Sequence, residues 1–189
     1  TVKGRHGDTL VDVDEQPGNA RPEKVRKLRP AFAKEGTVTA ANSSSISDGA
    51  SAIILMKESD AIAKGIKPLA RIVAHSTHAQ LPAEFTIAPI SAIEKVLAKA
   101  QWTTDDVDLY EINEAFAVVT MLAQQKLELD TAKVNIKGGA CALGHPVGSS
   151  GSRILVTLMY ALQQENKKRG VASLCIGGGE ASAVAIELI

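Results

Sequence analysis

The chain has 189 residues, 45% of them hydrophobic and 22% charged, which is enough for one substantial core or two small ones. Its 21 basic and 21 acidic residues cancel to a formal net charge of zero, which excludes a global attraction for nucleic acid or anionic lipid. No apolar run approaches the length of a membrane span, Thr1-Val2-Lys3-Gly4 opens no signal peptide, and Cys141 and Cys175 lie among glycines rather than in a disulfide framework, so the composition predicts a soluble globular protein in a reducing compartment.

Residues 1–46 read as polar and irregular, with a turn at Pro17-Gly18-Asn19 and one short helix over 21–29, before Pro30. The basic cluster of that helix, Lys24, Arg26, Lys27 and Arg29, reads as a solvated face in preference to an anion site. Ser51-Ala52-Ile53-Ile54-Leu55-Met56 is an apolar run of strand length, followed by an alanine-rich helix ending at Gly65. Pro68 introduces a second strand, Leu69 to Ala74. Ile90, Ile93, Val96, Leu97 and Ala100 then recur at helical spacing, with Pro89 suited to the first turn. Val107 to Ile112 reads as a strand running into Asn113-Glu114-Ala115-Phe116-Ala117, a helix start with Asn113 placed as its cap.

Lys133 to Lys137 reads as a short strand. Beyond it a glycine-rich loop around His145 leads into a helix over 153–164, and two strands, Val171 to Ile176 and Ala181 to Ile186, are joined by a glycine turn. Alternating strands and helices with an adjoining C-terminal pair predict an α/β fold whose mixed sheet is covered by helices. The chemically interesting residues fall at strand ends, where ligands sit in open α/β sheets.

Two glycine-rich segments draw the chemistry together: Gly138-Gly139-Ala140-Cys141-Ala142-Leu143-Gly144-His145-Pro146 and Cys175-Ile176-Gly177-Gly178-Gly179. Glycine costs conformational entropy, so runs of it after apolar strands suit close approach of another group to the main chain. His145 fits a general base, since imidazole titrates near neutrality, and equally an ordinary loop histidine. Cys175 ends a strand before three glycines, so its sulfur can face a site with amides behind it; a small buried hydrophobe is the competing reading. Cys141 reads as structural. Asn113 suits either a helix cap or the orientation of a water molecule, and Glu114 suits the positive end of a helix without any catalytic task. Asn42 to Gly49 is a hydrophilic turn or a ligand loop.

Asn113-Glu114-Ala115-Phe116, Gly144-His145-Pro146 and Cys175-Ile176-Gly177-Gly178-Gly179, in this order, resemble three of the four active-site loops of thiolases. Lys27-Leu28-Arg29-Pro30-Ala31-Phe32 and Gly36 to Asn42 resemble the loop domain of that family, and everything from about Pro68 resembles its C-terminal domain. The resemblance implies a thiolase-like layered α/β fold, with 1–46 as the tail of the loop domain, 47–66 as the last strand and helix of an N-terminal domain, and 67–189 as the C-terminal domain. Thiolases carry the acyl-accepting cysteine in the N-terminal half, and neither Cys141 nor Cys175 matches it. The chain therefore resembles a C-terminal half, expected to be inactive alone.

For an intact member the resemblance implies condensation of two acetyl-CoA molecules to acetoacetyl-CoA and CoA, reversible by thiolysis. His145 would activate the absent cysteine and, with a water held by Asn113, form one oxyanion hole. Cys175 would remove the α proton, and the Gly177 amide would serve the other hole. Ser44 would contact the pantetheine arm, with Phe116 also lining the substrate. No organic cofactor is required beyond the CoA thioester substrate. Ala40-Ala41-Asn42, Phe85 followed by Ala88-Pro89, and Gly179 to Ala183 resemble the potassium-activated branch, in which carbonyls at the positions of Ala40, Ala41, Ser43 and Cys141 hold the ion. Thr86 stands where that branch has proline, which argues against 2-methyl-branched substrates. The family further implies a homodimer or homotetramer in the cytoplasm or mitochondrial matrix. A degradative 3-ketoacyl-CoA thiolase and a noncatalytic thiolase-like assembly module are the alternatives. Ketoacyl synthases share the broader fold but pair histidines where Cys175 stands.

Overall fold

A computed structural model describes all residues, 1–189. Up to residue 66 only Ala61 is buried, and the organised core belongs to the remainder. The first segments are a hairpin of β1 (Val2–Gly4) with β2 (Gly7–Thr9) and a single turn, α1 (Glu15–Asn19), capped by the Asp14 carboxylate accepting from the Gln16 amide at 2.9 Å. In place of the short α-helix expected over 21–29 there is a 3-10 turn, Pro22–Lys27, with no buried residue. A helix of that length without an apolar face to bury does not sustain itself.

Ser51 to Met56 forms no strand. Ile54 is 87% exposed and Leu55 70%, and no neighbouring backbone in the chain offers them a ladder. β-propensity expresses itself only where a partner strand completes the hydrogen bonds. The alanine-rich helix does form, as α2 (Glu58–Ala63), and stops at Gly65 with φ +65°.

The core sheet contains β3 (Ala70–Ala79), β4 (Leu109–Ile112), β5 (Arg169–Cys175) and β6 (Glu180–Leu188) in the order β3-β6-β5-β4. β4 and β5 are parallel while the other pairs are antiparallel, so the sheet is mixed as the sequence predicts. α3 (Ala88–Ala100) buries Ala88, Pro89, Ala92, Ile93, Val96 and Leu97 against one face, with Pro89 in its first turn, where the missing amide hydrogen costs nothing. α4 (Ala117–Leu127) lies on the same side, and Val171 and Cys175 of β5 join that core. α6 (Ser150–Gln164) covers the opposite face, where Ile154, Leu158, Ala161 and Leu162 pack on Leu109, Ala172 and Ile186. No helix is long and apolar enough to cross a membrane.

Two further local expectations fail for identifiable reasons. Over 133–137 there is no strand: Thr131–Lys133 is a 3-10 turn and Val134 alone bridges Tyr110. Asn135 then takes φ +49°, which ends the extension, and its side chain does the pairing instead, accepting from the Ile112 amide at 2.8 Å and donating to the Ile112 carbonyl at 2.9 Å. Asn113 does not cap α4, which begins at Ala117 after Phe116. Residues 115 and 116 are held in an extended bridge by Ser43 and Ser44, so the helix starts only beyond them.

Candidate active site

The parallel pairing of β4 with β5 brings Asn113 to the edge of the site. Its amide donates to the Ser173 carbonyl at 2.9 Å, extending the Ile112–Ser173 register by one residue. The Asn113 residue is 1% exposed; its Nδ2 lies 3.5 Å from His145 Nε2, and its Oδ1 is buried without a partner. A buried amide oxygen left unpaired costs free energy, and this one is open to a further partner.

His145 is held from three directions. Its amide donates to the Ser45 carbonyl at 2.9 Å, its Nδ1 lies 2.6 Å from Ser150 Oγ, and its Nε2 faces Asn113. Burial first, and the Arg153 guanidinium second, hold its pKa below the ordinary imidazole value, so the ring is neutral at physiological pH.

The loop leading to His145 contains one helical turn, α5 (Ala140–Leu143), anchored on Glu114. That carboxylate accepts from the Cys141 amide at 3.0 Å and from Asn135 Nδ2 at 3.1 Å, so Glu114 latches two loops together rather than opening α4. Gly139 permits this: a Cβ there would collide with the Glu114 carboxylate. Burial pushes the Cys141 thiol up to about 11, with the Glu114 charge adding to it.

Cys175 is the last residue of β5 and is buried, and burial pushes its thiol up as well. The turn after it is closed by Gly179 donating to the Ile176 carbonyl at 3.1 Å and Ile176 donating to the Glu180 carbonyl at 2.8 Å. The Gly177 amide has no partner within the chain. Cys175 thus stands two residues beyond Ser173, the residue bonded to Asn113, on the adjacent strand end, with no hydrogen bond to Asn113 or His145.

Ser44 and Phe116 are close to one another. The Ser44 amide and hydroxyl both donate to the Ala115 carbonyl, at 3.2 and 3.1 Å, and the Phe116 ring packs edge-on against Phe32 and Phe85 at 5.6 and 6.1 Å. Ala40 and Ala41 lie in a 3-10 turn capped by Thr39, whose carbonyl accepts from Ser43 Oγ at 2.7 Å. This turn and Cys141 both border the 114–117 segment, through the Ser43–Phe116 bridge and the Glu114–Cys141 bond.

An open cleft of about 350 Å³ is lined by Ser47, Gly49, Ser51, Pro146, Ser149 and Ser152, directly beside His145 in the chain. A larger one, about 590 Å³, lies between α3 and α4 and contains none of the candidate residues.

Glu111 escapes a reading of motifs. It is 2% exposed on β4, 3.8 Å from the Arg153 guanidinium, and its pKa is raised to about 7 by burial, which outweighs the arginine. The signal available in the sequence is an acid inside the apolar stretch Leu109-Tyr110-Glu111-Ile112. Ser150 has no such signal, because nothing local marks a serine five residues after a histidine as its partner.

Comparison with known proteins identifies the family of the chain. A family model for the thiolase N-terminal domain matches residues 1–59 and one for the thiolase C-terminal domain matches residues 66–188. The acetyl-CoA acetyltransferase of Allochromatium vinosum is 50% identical over 188 residues, covering 98% of this chain and 48% of that protein. The cytosolic acetyl-CoA acetyltransferase of Mus musculus is 49% identical over 189 residues, again covering 98% of this chain and 48% of that protein. The crystal structure of the Bacillus anthracis acetyl-CoA acetyltransferase superposes with a TM-score of 0.91 at 43% identity, over 100% of this chain and 48% of that one. Human mitochondrial 3-ketoacyl-CoA thiolase in complex with CoA superposes with a TM-score of 0.83 at 41% identity, over 90% of this chain and 43% of that one. The chain spans about half the length of the curated relatives it matches. With domain models matched along nearly its whole length, the chain belongs to the thiolase family.

Proposed function

We propose that this chain carries the carbon–carbon bond-forming part of an acetyl-CoA acetyltransferase, and that the acyl-accepting cysteine comes from polypeptide outside these 189 residues. Residues 1–46 then belong to the loop domain, 47–66 to the N-terminal domain and 67–189 to the C-terminal domain, in a homodimer or homotetramer of the cytoplasm or mitochondrial matrix. The observation that carries the reading is the meeting of the Asn113 amide with His145 Nε2 at 3.5 Å, in a chain whose 50%-identical relatives are acetyl-CoA acetyltransferases.

In the first half-reaction the external cysteine attacks the thioester of acetyl-CoA. A new C–S bond forms, the old one breaks, and CoA leaves as the thiol with the proton that His145 removed from the cysteine. A histidine kept neutral by burial and by Arg153 suits that step, since only the neutral ring has a lone pair to offer. In the second, Cys175 as thiolate takes the α proton of another acetyl-CoA, and the resulting carbon nucleophile attacks the acyl-cysteine. The C–S bond of the acyl-cysteine breaks as the C–C bond forms, acetoacetyl-CoA leaves, and the proton held by Cys175 passes to the freed cysteine thiolate, which restores the Cys175 thiolate. Burial that raises the Cys175 pKa makes its thiolate a stronger base, which suits a carbon acid. A water on Asn113, joined by His145 while its Nε2 carries a proton, serves one thioester oxygen, and the unpartnered Gly177 amide serves the other. Ser44 and Phe116 border the path of the pantetheine arm.

The residues proposed for potassium fit an ion. The carbonyls of Ala40, Ala41, Ser43 and Cys141 accept no hydrogen bond from the chain, and Ser43 and Cys141 both border the 114–117 segment. Hard cations take such oxygens. An ion bound there would supply a positive charge that orders the turn carrying Ser44.

The test is reconstitution with the N-terminal half of a close relative. Acetoacetyl-CoA thiolysis is expected from the mixture, faster than thiolysis of longer 3-ketoacyl-CoA substrates, and none from the 189 residues alone. Turnover by the chain alone, free of host enzyme, refutes the assignment of the nucleophile, and preference for long chains favours the degradative reading. No thiolysis in any correctly assembled mixture supports the noncatalytic one.

A further inference from the structure

We infer that Ser150 is a positioning residue that holds His145 in the Nδ1–H tautomer and so keeps the Nε2 lone pair directed at the site. Its catalytic meaning rests on the base role proposed above for His145; the tautomer itself does not.

The argument starts from the hydrogens available. Ser150 Oγ lies 2.6 Å from His145 Nδ1 and 3.1 Å from the Pro146 carbonyl, and the Ser150 residue is 0% exposed, at the first position of α6. A hydroxyl has one proton to give and lone pairs to accept with. If that proton goes to the Pro146 carbonyl, Oγ accepts from Nδ1–H, and Nε2 is left with its lone pair facing the Asn113 Nδ2 hydrogens at 3.5 Å. The donors then run in one direction, from Asn113 through His145 and Ser150 to Pro146. With the Asn113 amide turned as it is here, the opposite direction puts a hydrogen on Nε2 facing the amino group, a donor against a donor.

The chosen direction also survives the reaction. When Nε2 takes a proton, both ring nitrogens carry hydrogen, and a serine already accepting from Nδ1 needs no rotation. A serine donating to Nδ1 would have to turn away at the moment of proton transfer. The backbone reinforces the geometry, because the Ser149 and Ser150 amides also donate to the Pro146 carbonyl at 2.8 Å each and tie the helix start to the residue after His145.

The experiment uses the 189-residue chain labelled with 15N-histidine, with His145 identified by the loss of its signal in His145→Gln. Two-bond nitrogen–proton correlations are expected to show a pyrrole-type Nδ1 and a pyridine-type Nε2. In Ser150→Ala that preference is expected to be lost, and in Ser150→Thr, which restores a hydroxyl, to return. Circular dichroism confirms that each variant is folded, and a variant that unfolds is replaced by Ser150→Gly. A pyridine-type Nδ1 in the unaltered chain overturns the inference, as does an unchanged Nδ1–H tautomer in the folded variant lacking the hydroxyl. In the enzyme reconstituted with an N-terminal half, Ser150→Ala is expected to lower kcat by about tenfold or more with little change in KM, as loss of base orientation does. If the tautomer behaves as stated while the reconstituted enzyme shows no thiolysis, the functional reading fails and the tautomer assignment stands.

Discussion

Glu111 and Arg153 face each other at 3.8 Å across the contact of β4 with α6, and the Glu111 side chain is only 3% exposed. At that separation the guanidinium offsets part of the desolvation of the carboxylate, and burial prevails, raising its pKa from 4.5 to about 7. A carboxyl whose folded pKa is raised lets the native state hold a proton that the unfolded chain has already released. Stability therefore falls as pH rises from about 4.5 to about 7, and the penalty is complete above that window. Glu111→Gln is expected to flatten this slope and, at pH 8, to raise the unfolding free energy by an amount on the order of 1–3 kcal/mol, read as a higher urea midpoint. Urea titrations of both proteins at pH 5 and pH 8 check it; identical slopes would mean that Glu111 is ionised throughout.

Cys175→Ala is expected to separate the two half-reactions of the reconstituted enzyme. Acylation requires no carbon deprotonation, so a burst of CoA release from acetyl-CoA is retained, while condensation falls by about 10²–10⁴-fold with the loss of its base. Rapid-quench measurement of both steps distinguishes this from a packing defect, which would reduce them together.

Gly179→Ala is expected to destabilise the fold by about 2 kcal/mol or more, because the substitution meets strain and a clash at once. Gly179 has φ +99°, and a Cβ there would run into the Gln80 carbonyl, while the Gly179 carbonyl accepts from the Gln80 amide at 3.0 Å. Neither partner is a flexible side-chain end that could move aside. Thermal melting measures the loss, and a midpoint unchanged from the parent would show that the turn relaxes freely.

Leu55→Lys is expected to reduce self-association. Ile54 and Leu55 are 87% and 70% exposed, on backbone without a ladder, a combination that invites pairing between chains. Sedimentation velocity over a range of concentrations should show association in the parent and less in the variant. A concentration-independent monomer in the parent would remove the premise.

The elements legible in the sequence are those whose cause is local. Ile93, Val96 and Leu97 announce α3 because helical spacing places them on one stripe whatever lies opposite, and Pro89 marks its start for reasons internal to the backbone. The hairpin of β5 and β6 is equally local, two apolar runs closed by glycines. The candidate residues Asn113, His145 and Cys175 were legible as motifs, and their family with them. What the sequence could not determine is everything that depends on a partner distant along the chain. Ser51 to Met56 has the composition of a strand and lacks a neighbour, and Val134 finds one at a single position before Asn135 turns away. Asn113 reads as a cap until Ser43 and Ser44 claim the next residues, and Glu114 reads as a helix-end charge until Cys141 and Asn135 bind it. The pairing of Glu111 with Arg153, and of His145 with Asn113 across 32 residues, is decided by the parallel register of β4 on β5 and by the loop that returns to α6. Propensity acts over a few residues, whereas burial and hydrogen-bond satisfaction act over whatever the fold brings within a few ångströms, so the chemistry of this site is written in the chain but its geometry is settled only by packing.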